Sequence, residues 1–119
     1  LSRIGAALAP LRDDGVLLIG SGGGVHNLRS LSLDARNSAP EAWAREFDEW
    51  LAARIAERDL PALLSWREKA PSASRAHPTP EHLDPLLFVA GASRDGDRVE
   101  ILHEGIAFGT LSMRTFALL

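Results

Sequence analysis

The stretch that decides the fold is residues 16–29, VLLIGSGGGVHNLR. It begins with an apolar run, Val16 to Ile19, which is typical of a short buried strand. Glycines follow, and they allow the backbone to turn sharply and to leave room for a ligand beside it. The turn ends in a histidine, an amide and an arginine. Open α/β sheets build their sites in this way, at the carboxyl ends of their strands.

Three interpretations of the glycine loop, Gly20 to Gly24, compete. A phosphate cradle fits poorly, because the third glycine of a dinucleotide fingerprint would fall on Val25 and there is no Walker lysine. A structural turn with a packed, hydrogen-bonded His26 is the second interpretation. The third is catalytic, with His26 as an acid/base group or metal ligand, since imidazole titrates near neutral pH. The loop alone does not decide between them.

Composition narrows the class of protein. The chain has 119 residues, 45% hydrophobic and 24% charged, with a formal net charge of −3 and no cysteine. These values predict one domain at most, without the basic charge that favours nucleic acid or anionic membranes. The missing cysteines exclude disulfides and thiolate sites. No apolar run reaches the ~20 residues of a membrane span, and no signal peptide is visible, so we expect a cytoplasmic protein.

The N-terminal pattern predicts half of a βαβ unit. Leu1 to Arg12 is typical of the end of an amphipathic helix, and a glycine and the strand at Val16 to Ile19 follow it. The strand that should precede this helix is absent, and the chain does not begin with methionine. We therefore expect that the chain begins inside a larger gene product or lost its front by processing.

The middle of the chain predicts two helices and a loop. Residues 40–58 carry apolar side chains at helical spacing, which we interpret as a core face and not as a ligand platform: Trp43, Phe47, Trp50, Leu51 and Ile55. The charged residues of this helix, Asp48 among them, are predicted to face solvent. A short helix from Leu60 to about Trp66 follows, and then a loop from Lys69 to Arg75.

A second candidate site lies at the start of the next predicted helix. Thr79 is a good N-cap and Pro80 suits the first helical position, so the helix is predicted to run from there to Gly91. His82 would then lie in the first turn, where the helix dipole favours the neutral imidazole that binds metals. Glu81 beside it is a hard oxygen donor. The alternative is that Glu81 is only a favourable first-turn charge and His82 a surface residue.

The C-terminal pattern predicts strands. Val99 to His103 alternates as a strand does, and Ile106 to Leu119 predicts one or two more, with Gly109 at a bulge or bend. The predicted fold class is α/β, with a mainly parallel central sheet flanked by helices and an antiparallel C-terminal strand pair, as a partial domain.

Three segments occur in an order that resembles the C-terminal half of class III extradiol ring-cleavage dioxygenases: residues 20–29 (GSGGGVHNLR), 77–87 (HPTPEHLDPLL) and 104–114 (EGIAFGTLSMR). The most similar branch is the DOPA-dioxygenase type, related to the catalytic subunit of protocatechuate 4,5-dioxygenase. The resemblance covers almost the whole chain. It implies that residues 1–119 are the C-terminal part of a single catalytic domain.

The resemblance also implies a chemistry. In that family a non-haem Fe(II), often replaced by zinc in purified protein, binds a catechol through both hydroxyls and then O2, and the ring opens beside the diol. His26 matches the histidine that handles protons, and His82 matches the C-terminal metal ligand, with Glu81 as a fallback ligand. Asn27 and Arg29 match the motif and are expected to orient the substrate.

His77, the first residue of the second motif, lies at a position where relatives vary. We expect it in a loop near the mouth of the site, in contact with the substrate.

The chain departs from the family in one respect. The other metal ligands are two histidines of the N-terminal half, on a His-Gly-Ser loop and a Ser-Ala-His loop, and neither loop occurs here. An iron site of this type needs about three protein ligands. The expected partners are a catecholic small molecule, O2 and the missing N-terminal half. A homo-oligomer is also possible. Neither nucleic acid nor a membrane is expected as a partner. The alternatives are a non-catalytic remnant or interaction domain of the same fold, and a nucleotide-binding module.

Overall fold

The computed structural model describes residues 1–31, 33–35 and 38–119. Its helices and strands follow in chain order: α1 (Ser2–Leu8), α2 (Ala42–Ala56), α3 (Leu60–Leu64), α4 (Trp66–Lys69), α5 (Ala73–Ala76), α6 (Asp84–Gly91), β1 (Val99–His103), β2 (Ile106–Ala107), β3 (Leu111–Ser112) and β4 (Thr115–Leu118). Short 3-10 helices occupy Ala9–Asp14, Leu28–Ser30 and Leu33–Ala35. The chain is thus a compact α/β unit. No helix among these described residues is long and apolar enough to cross a membrane.

The core is built around α2, inside the predicted range 40–58. Its side chains Trp43, Phe47, Leu51 and Ile55 are buried, and Trp50 packs partly buried against them. Residues of α4, α5 and α6 close the same cluster. The predicted core face is therefore confirmed. Burying a leucine, isoleucine or phenylalanine side chain stabilises a fold by roughly 1.5–3 kcal/mol, so this one helix anchors the chain.

The short helices differ from prediction in their bounds. The segment predicted as one helix from Leu60 to Trp66 forms α3 and α4, divided at Ser65. The carboxylate of Asp59 begins α3 by accepting the N–H of Ala62 at 3.0 Å. Helix α5 overlaps the end of the segment predicted as a loop. Its last turn is closed by the N–H of His77, which donates to the carbonyl of Ala73 at 2.9 Å.

The N-terminal helix exposes its apolar stripe. Helix α1 ends at Leu8, and the chain continues as a 3-10 helix to Asp14. Gly5 is buried, and α1 packs against α6. The apolar residues Ile4, Leu8 and Leu11, which recur at helical spacing within the predicted Leu1 to Arg12 helix, remain exposed.

The predicted antiparallel C-terminal pair is confirmed. Strand β1 has the predicted bounds and pairs antiparallel with β4, while β2 pairs antiparallel with β3. Gly109, with a φ of +73°, lies in the turn between β2 and β3, where a bend was predicted. This left-handed conformation favours glycine.

The predicted parallel sheet is not present among residues 1–31, 33–35 and 38–119, whose strands form two antiparallel pairs. Val16 to Ile19 belongs to no strand. Leu17 is 78% exposed and Ile19 73%, where a buried strand was predicted. The physical reason is that an apolar run becomes a strand only when a neighbouring strand bonds its backbone. Among the described residues no strand pairs with Val16 to Ile19, and the N–H of Val16 donates instead to the carbonyl of Leu11 at 3.1 Å. The segment instead borders a groove of about 700 Å³, which β4 also lines.

Helix α6 begins at Asp84, so His82 lies two residues before the helix and not in its first turn as predicted. Residues 81–83 form a turn before the helix, in which the carbonyl of Pro80 accepts the N–H groups of Leu83 and Asp84. Pro85 then occupies the first turn of α6, where its missing N–H costs nothing. His82 therefore lies outside the first turn of α6, where the helix dipole acts most strongly.

Candidate active site

The side chains of His26 and His82 lie face to face. Their ring centroids are 3.6 Å apart and their planes differ by 27°, although 56 positions (82 − 26) separate them in the sequence. The fold therefore brings together two candidate residues that the sequence shows only as separate segments. Both rings are partly exposed, and His82 lines the groove next to the glycine loop.

The backbone around His26 is held by two other parts of the chain. The N–H of His26 donates to the carbonyl of Ala76 at 3.1 Å, and the carbonyl of Val25 accepts the N–H of Ser112 at 3.3 Å. Val25 itself is buried in the core. The loop is therefore fixed between the end of α5 and strand β3, and the direction of the His26 side chain is fixed with it.

The glycines bring the loop against the segment of His82. The N–H of Gly23 donates to the carbonyl of His82 at 2.9 Å. A Cβ atom on Gly22 would lie 2.2 Å from that same carbonyl oxygen, which no real side chain allows. Close backbone approach therefore explains this part of the glycine run. The phosphate-cradle interpretation is also disfavoured, because the N–H of Gly23 already donates to the carbonyl of His82 and is not free to bind a phosphate.

Asn27 supports the turn that follows His26. Its side-chain oxygen accepts the N–H of Arg29 at 3.0 Å, and its side-chain nitrogen donates to the carbonyl of Arg75 at 2.7 Å. The Asn27 side chain is buried and caps the 3-10 helix Leu28–Ser30. Arg29 is exposed. Asn27 thus holds the loop, while the role of Asn27 and Arg29 in orienting a substrate stays a prediction.

His77 is not at the mouth of the site. Its side chain has 0% exposed surface, and its Nε2 lies 2.9 Å from the carbonyl oxygen of Gly24. The prediction failed because the short helix α5 replaces the expected loop and turns His77 inward against Phe47 and Trp66. In this fold the ring presents no atom to a ligand.

Glu81 is exposed beside His82. The hydroxyl of Thr79 donates to Glu81 Oε1 at 2.6 Å, so Thr79 does not act as the predicted helix cap. This hydrogen bond lowers the pKa of Glu81 below its usual value, which keeps the carboxylate ionised. The same oxygen lies 3.7 Å from His82 Nε2.

Burial and the neighbouring His82 change the acid/base character of His26. Burial lowers the pKa of His26 below its ordinary value, and repulsion from His82 lowers it further, against smaller opposing effects of its backbone and Glu81. Neutral imidazole is therefore the favoured form at neutral pH. A neutral ring at this position can accept a proton.

The donors present fit part of a metal site. Glu81 Oε1 and His82 Nε2, 3.7 Å apart, are close enough to bind one ion at about 2 Å each. An imidazole binds through a lone pair in its ring plane, so the nearly parallel rings of His26 and His82 do not aim two lone pairs at one ion. Within residues 1–31, 33–35 and 38–119, no group of three or more ligand side chains could hold a metal. The described residues therefore offer fewer than the three ligands expected.

The sequence patterns did not predict a buried polar network that joins α2 to the end of β3. Asp48, predicted to face solvent, is buried and accepts hydrogen bonds from Ser112 and from Arg114, whose guanidinium binds both carboxylate oxygens. Arg114 also bonds Glu104 at 2.6 Å. The spacing of Asp48, four residues after Ala44 and three before Leu51, places it on the buried face and could have revealed it.

Comparison with known proteins agrees with the geometry. The family described as the catalytic LigB subunit of aromatic ring-opening dioxygenase matches residues 1–117. Two proteins named 4,5-DOPA dioxygenase extradiol are similar: that of Beta vulgaris, 35% identical over 96% of this chain and 42% of its own length, and that of Escherichia coli K12, 37% identical over 93% and 41%. The crystal structure of an uncharacterized Escherichia coli K12 protein covers 97% of this chain at a TM-score of 0.84 and 36% identity, and this chain covers 48% of it.

The chain thus spans about two fifths of the length of the curated relatives that it matches. The family match itself extends over nearly all of its residues, and it includes both histidine segments and the C-terminal strands. The chain belongs to the family of the catalytic LigB subunit of aromatic ring-opening dioxygenases.

Proposed function

We propose that this chain is the C-terminal portion of a non-haem Fe(II) extradiol dioxygenase that opens catechol-type rings with O2. The observation that carries the proposal is the stacked pair of His26 and His82, formed by two segments that are distant in sequence. Family membership and the names of the relatives support it. The match covers 42% of the length of the Beta vulgaris relative, as expected for one part of a longer catalytic unit.

The two histidines take different roles in this proposal. His82, with Glu81 as the fallback, contributes a ligand to Fe(II), or to zinc in purified protein. His26 accepts and returns the proton of a catechol hydroxyl, because its neutral ring lies beside the ligand without sharing its metal-binding direction. The metal, when bound, would supply Lewis acidity to the two catechol oxygens and, as Fe(II), the redox chemistry that O2 requires. Asn27 holds the turn behind His26, and Arg29 lies exposed next to it.

The remaining ligands are proposed to come from the part of the relatives that this chain does not match. That part would lie in the groove of about 700 Å³, which is bordered by Val16 to Gly24, His82 and β4. Its strands would pair with Val16 to Ile19 and bury Leu17, which would complete the mainly parallel sheet. The cytoplasmic location stays a prediction.

Reconstitution tests the proposal. The chain is expressed alone and together with the missing portion taken from a relative, as one fused polypeptide. We expect the fusion to hold about one Fe(II) per molecule and to consume O2 with a catechol, and the chain alone to bind metal weakly. A fusion that folds and binds Fe(II) but never consumes O2 with any catechol would favour the remnant or interaction domain. Tight metal binding by the chain alone would contradict the incomplete site.

A further inference from the structure

The buried imidazole of His77 lies directly beneath the glycine loop. Its Nε2 is 2.9 Å from the Gly24 carbonyl oxygen, and a carbonyl only accepts hydrogen bonds, so Nε2 carries the proton. Among the described residues, the other nitrogen, Nδ1, has no hydrogen-bond partner. A buried polar atom without a partner is costly, and a leucine of similar volume would avoid that cost. The histidine is therefore explained by the bond that its Nε2 makes.

The surroundings of His77 make it a rigid donor. Its ring packs at a centroid distance of 5.3 Å from Phe47 of α2 and 5.5 Å, edge to face, from Trp66 of α4. Both aromatic side chains are buried in the core. The ring has no free space in which to turn, so the position of the Gly24 carbonyl is set by the core. His26 follows two residues later along the same backbone.

We propose that His77 is a positioning residue, whose Nε2–H bond to Gly24 holds the loop in the conformation that stacks His26 on His82. This inference adds to the proposed function. Only its activity measurement depends on that function, whereas the measurement of the ring contact does not. A purely structural role would require only a side chain of the right size. A positioning role requires a donor at the place of Nε2, and this difference can be tested.

Three substitutions separate the two roles in the fusion of this chain with the missing portion. His77→Gln keeps an amide donor near the place of Nε2. His77→Asn carries the same amide, but one carbon shorter, so it does not reach Gly24. His77→Leu has a similar volume and no donor. Leu63→Val, in the core away from the loop, controls for a general loss of packing, and near-ultraviolet circular dichroism verifies folding.

The direct measurement is the nuclear Overhauser contact between the ring protons of His26 and His82. We expect His77→Gln and Leu63→Val to keep this contact, and His77→Asn and His77→Leu to lose it. In the active fusion, His77→Asn and His77→Leu should lower kcat by roughly 10²-fold, as misplacement of a catalytic group by about 1 Å does. Their KM and metal content should be nearly unchanged.

A folded Asn or Leu variant that keeps the His26–His82 contact would overturn the inference, and so would a folded Gln variant that loses the contact. If the Asn and Leu variants do not fold, the Gln variant alone decides. If the unsubstituted fusion shows no dioxygenase activity, the proposed function fails, while the ring contact still tests the role of His77.

Discussion

The main-chain N–H of Gly23 donates a hydrogen bond of 2.9 Å to the main-chain carbonyl of His82. The two segments that carry the stacked histidines are thus joined backbone to backbone. This contact leaves no space for a side chain at Gly22. Much of the geometry of the candidate site therefore depends on glycine as a residue without a Cβ.

Gly22→Ala should disturb the site. The new methyl group would lie 2.2 Å from the His82 carbonyl oxygen, so the His82 segment must shift, and overpacking of this kind typically costs about 1–3 kcal/mol. We expect lower thermal stability and weaker metal retention in the fusion. Gly96→Ala is the matched control, because a Cβ there meets nothing within 4 Å. Equal stability and metal content in both variants would contradict the close contact.

His26→Ala and His82→Ala should have different effects in the reconstituted enzyme. Loss of one acid/base group lowers turnover by about 10²–10⁴-fold, so His26→Ala should be nearly inactive with its metal content retained. His82→Ala should lose metal, as measured by elemental analysis. His103→Ala is the control, since His103 is exposed on β1. If the first two variants behave the other way round, the roles of base and ligand are exchanged.

The chain alone should self-associate or be poorly soluble. Leu17 and Ile19 are 78% and 73% exposed in a segment without strand partners, and exposed apolar edges favour association. We expect Leu17→Glu to reduce the associated fraction in sedimentation velocity. Leu64→Glu on α3, where the leucine is 50% exposed, is the control and should change little. A monodisperse monomer of the unsubstituted chain would refute this prediction.

The ion pair between Asp48 and Arg114 should matter more for stability than an exposed pair. Both side chains are only 8% exposed. Removing one partner of a buried pair typically costs about 3–5 kcal/mol, because the other charge stays buried. Asp48→Ala should therefore lower the free energy of unfolding by about that amount, measured with urea. Glu100→Ala, which breaks the exposed pair with Arg98, should cost about 0–1 kcal/mol. Equal losses would contradict the predicted difference.

The stability of the fold should decrease in mild acid. Burial lowers the pKa of His77, and the charges of His26, His82 and Arg67 lower it further, against the opposing effect of its bond to Gly24. The folded state thus favours the neutral ring more than the unfolded state does. Its contribution to stability is fully present above the unfolded pKa of about 6.5 and is lost as the pH falls through the folded pKa.

Urea unfolding between pH 7.5 and pH 5 should accordingly show a decreasing free energy of unfolding. His77→Gln cannot titrate and should show a smaller decrease, with the remainder coming in part from His26, whose pKa is also lowered. An unchanged pH dependence in His77→Gln would show that His77 does not contribute.

Local sequence patterns predicted the elements that local forces dominate. The helical spacing of Trp43, Phe47, Leu51 and Ile55 predicted α2 and the core, and alternation predicted β1 with its bounds. These predictions succeeded because periodicity reports which face of an element is buried. The prediction for Asp48 failed because its charge, and not its position on the buried face of α2, was used to assign it to solvent. Its charge is buried because Arg114, 66 residues away, pairs with it, and no local pattern shows that partner.

The sequence by itself determined that His26 follows a glycine loop and that His82 precedes a helix, and the resemblance of these segments indicated the family. Only the tertiary structure decided that the two rings stack, that His77 lies beneath the loop and that Val16 to Ile19 is unpaired. The physical reason is that a local pattern encodes which surfaces a segment can bury. Which surfaces it meets depends on contacts between segments that are distant along the chain, and no local pattern records those contacts.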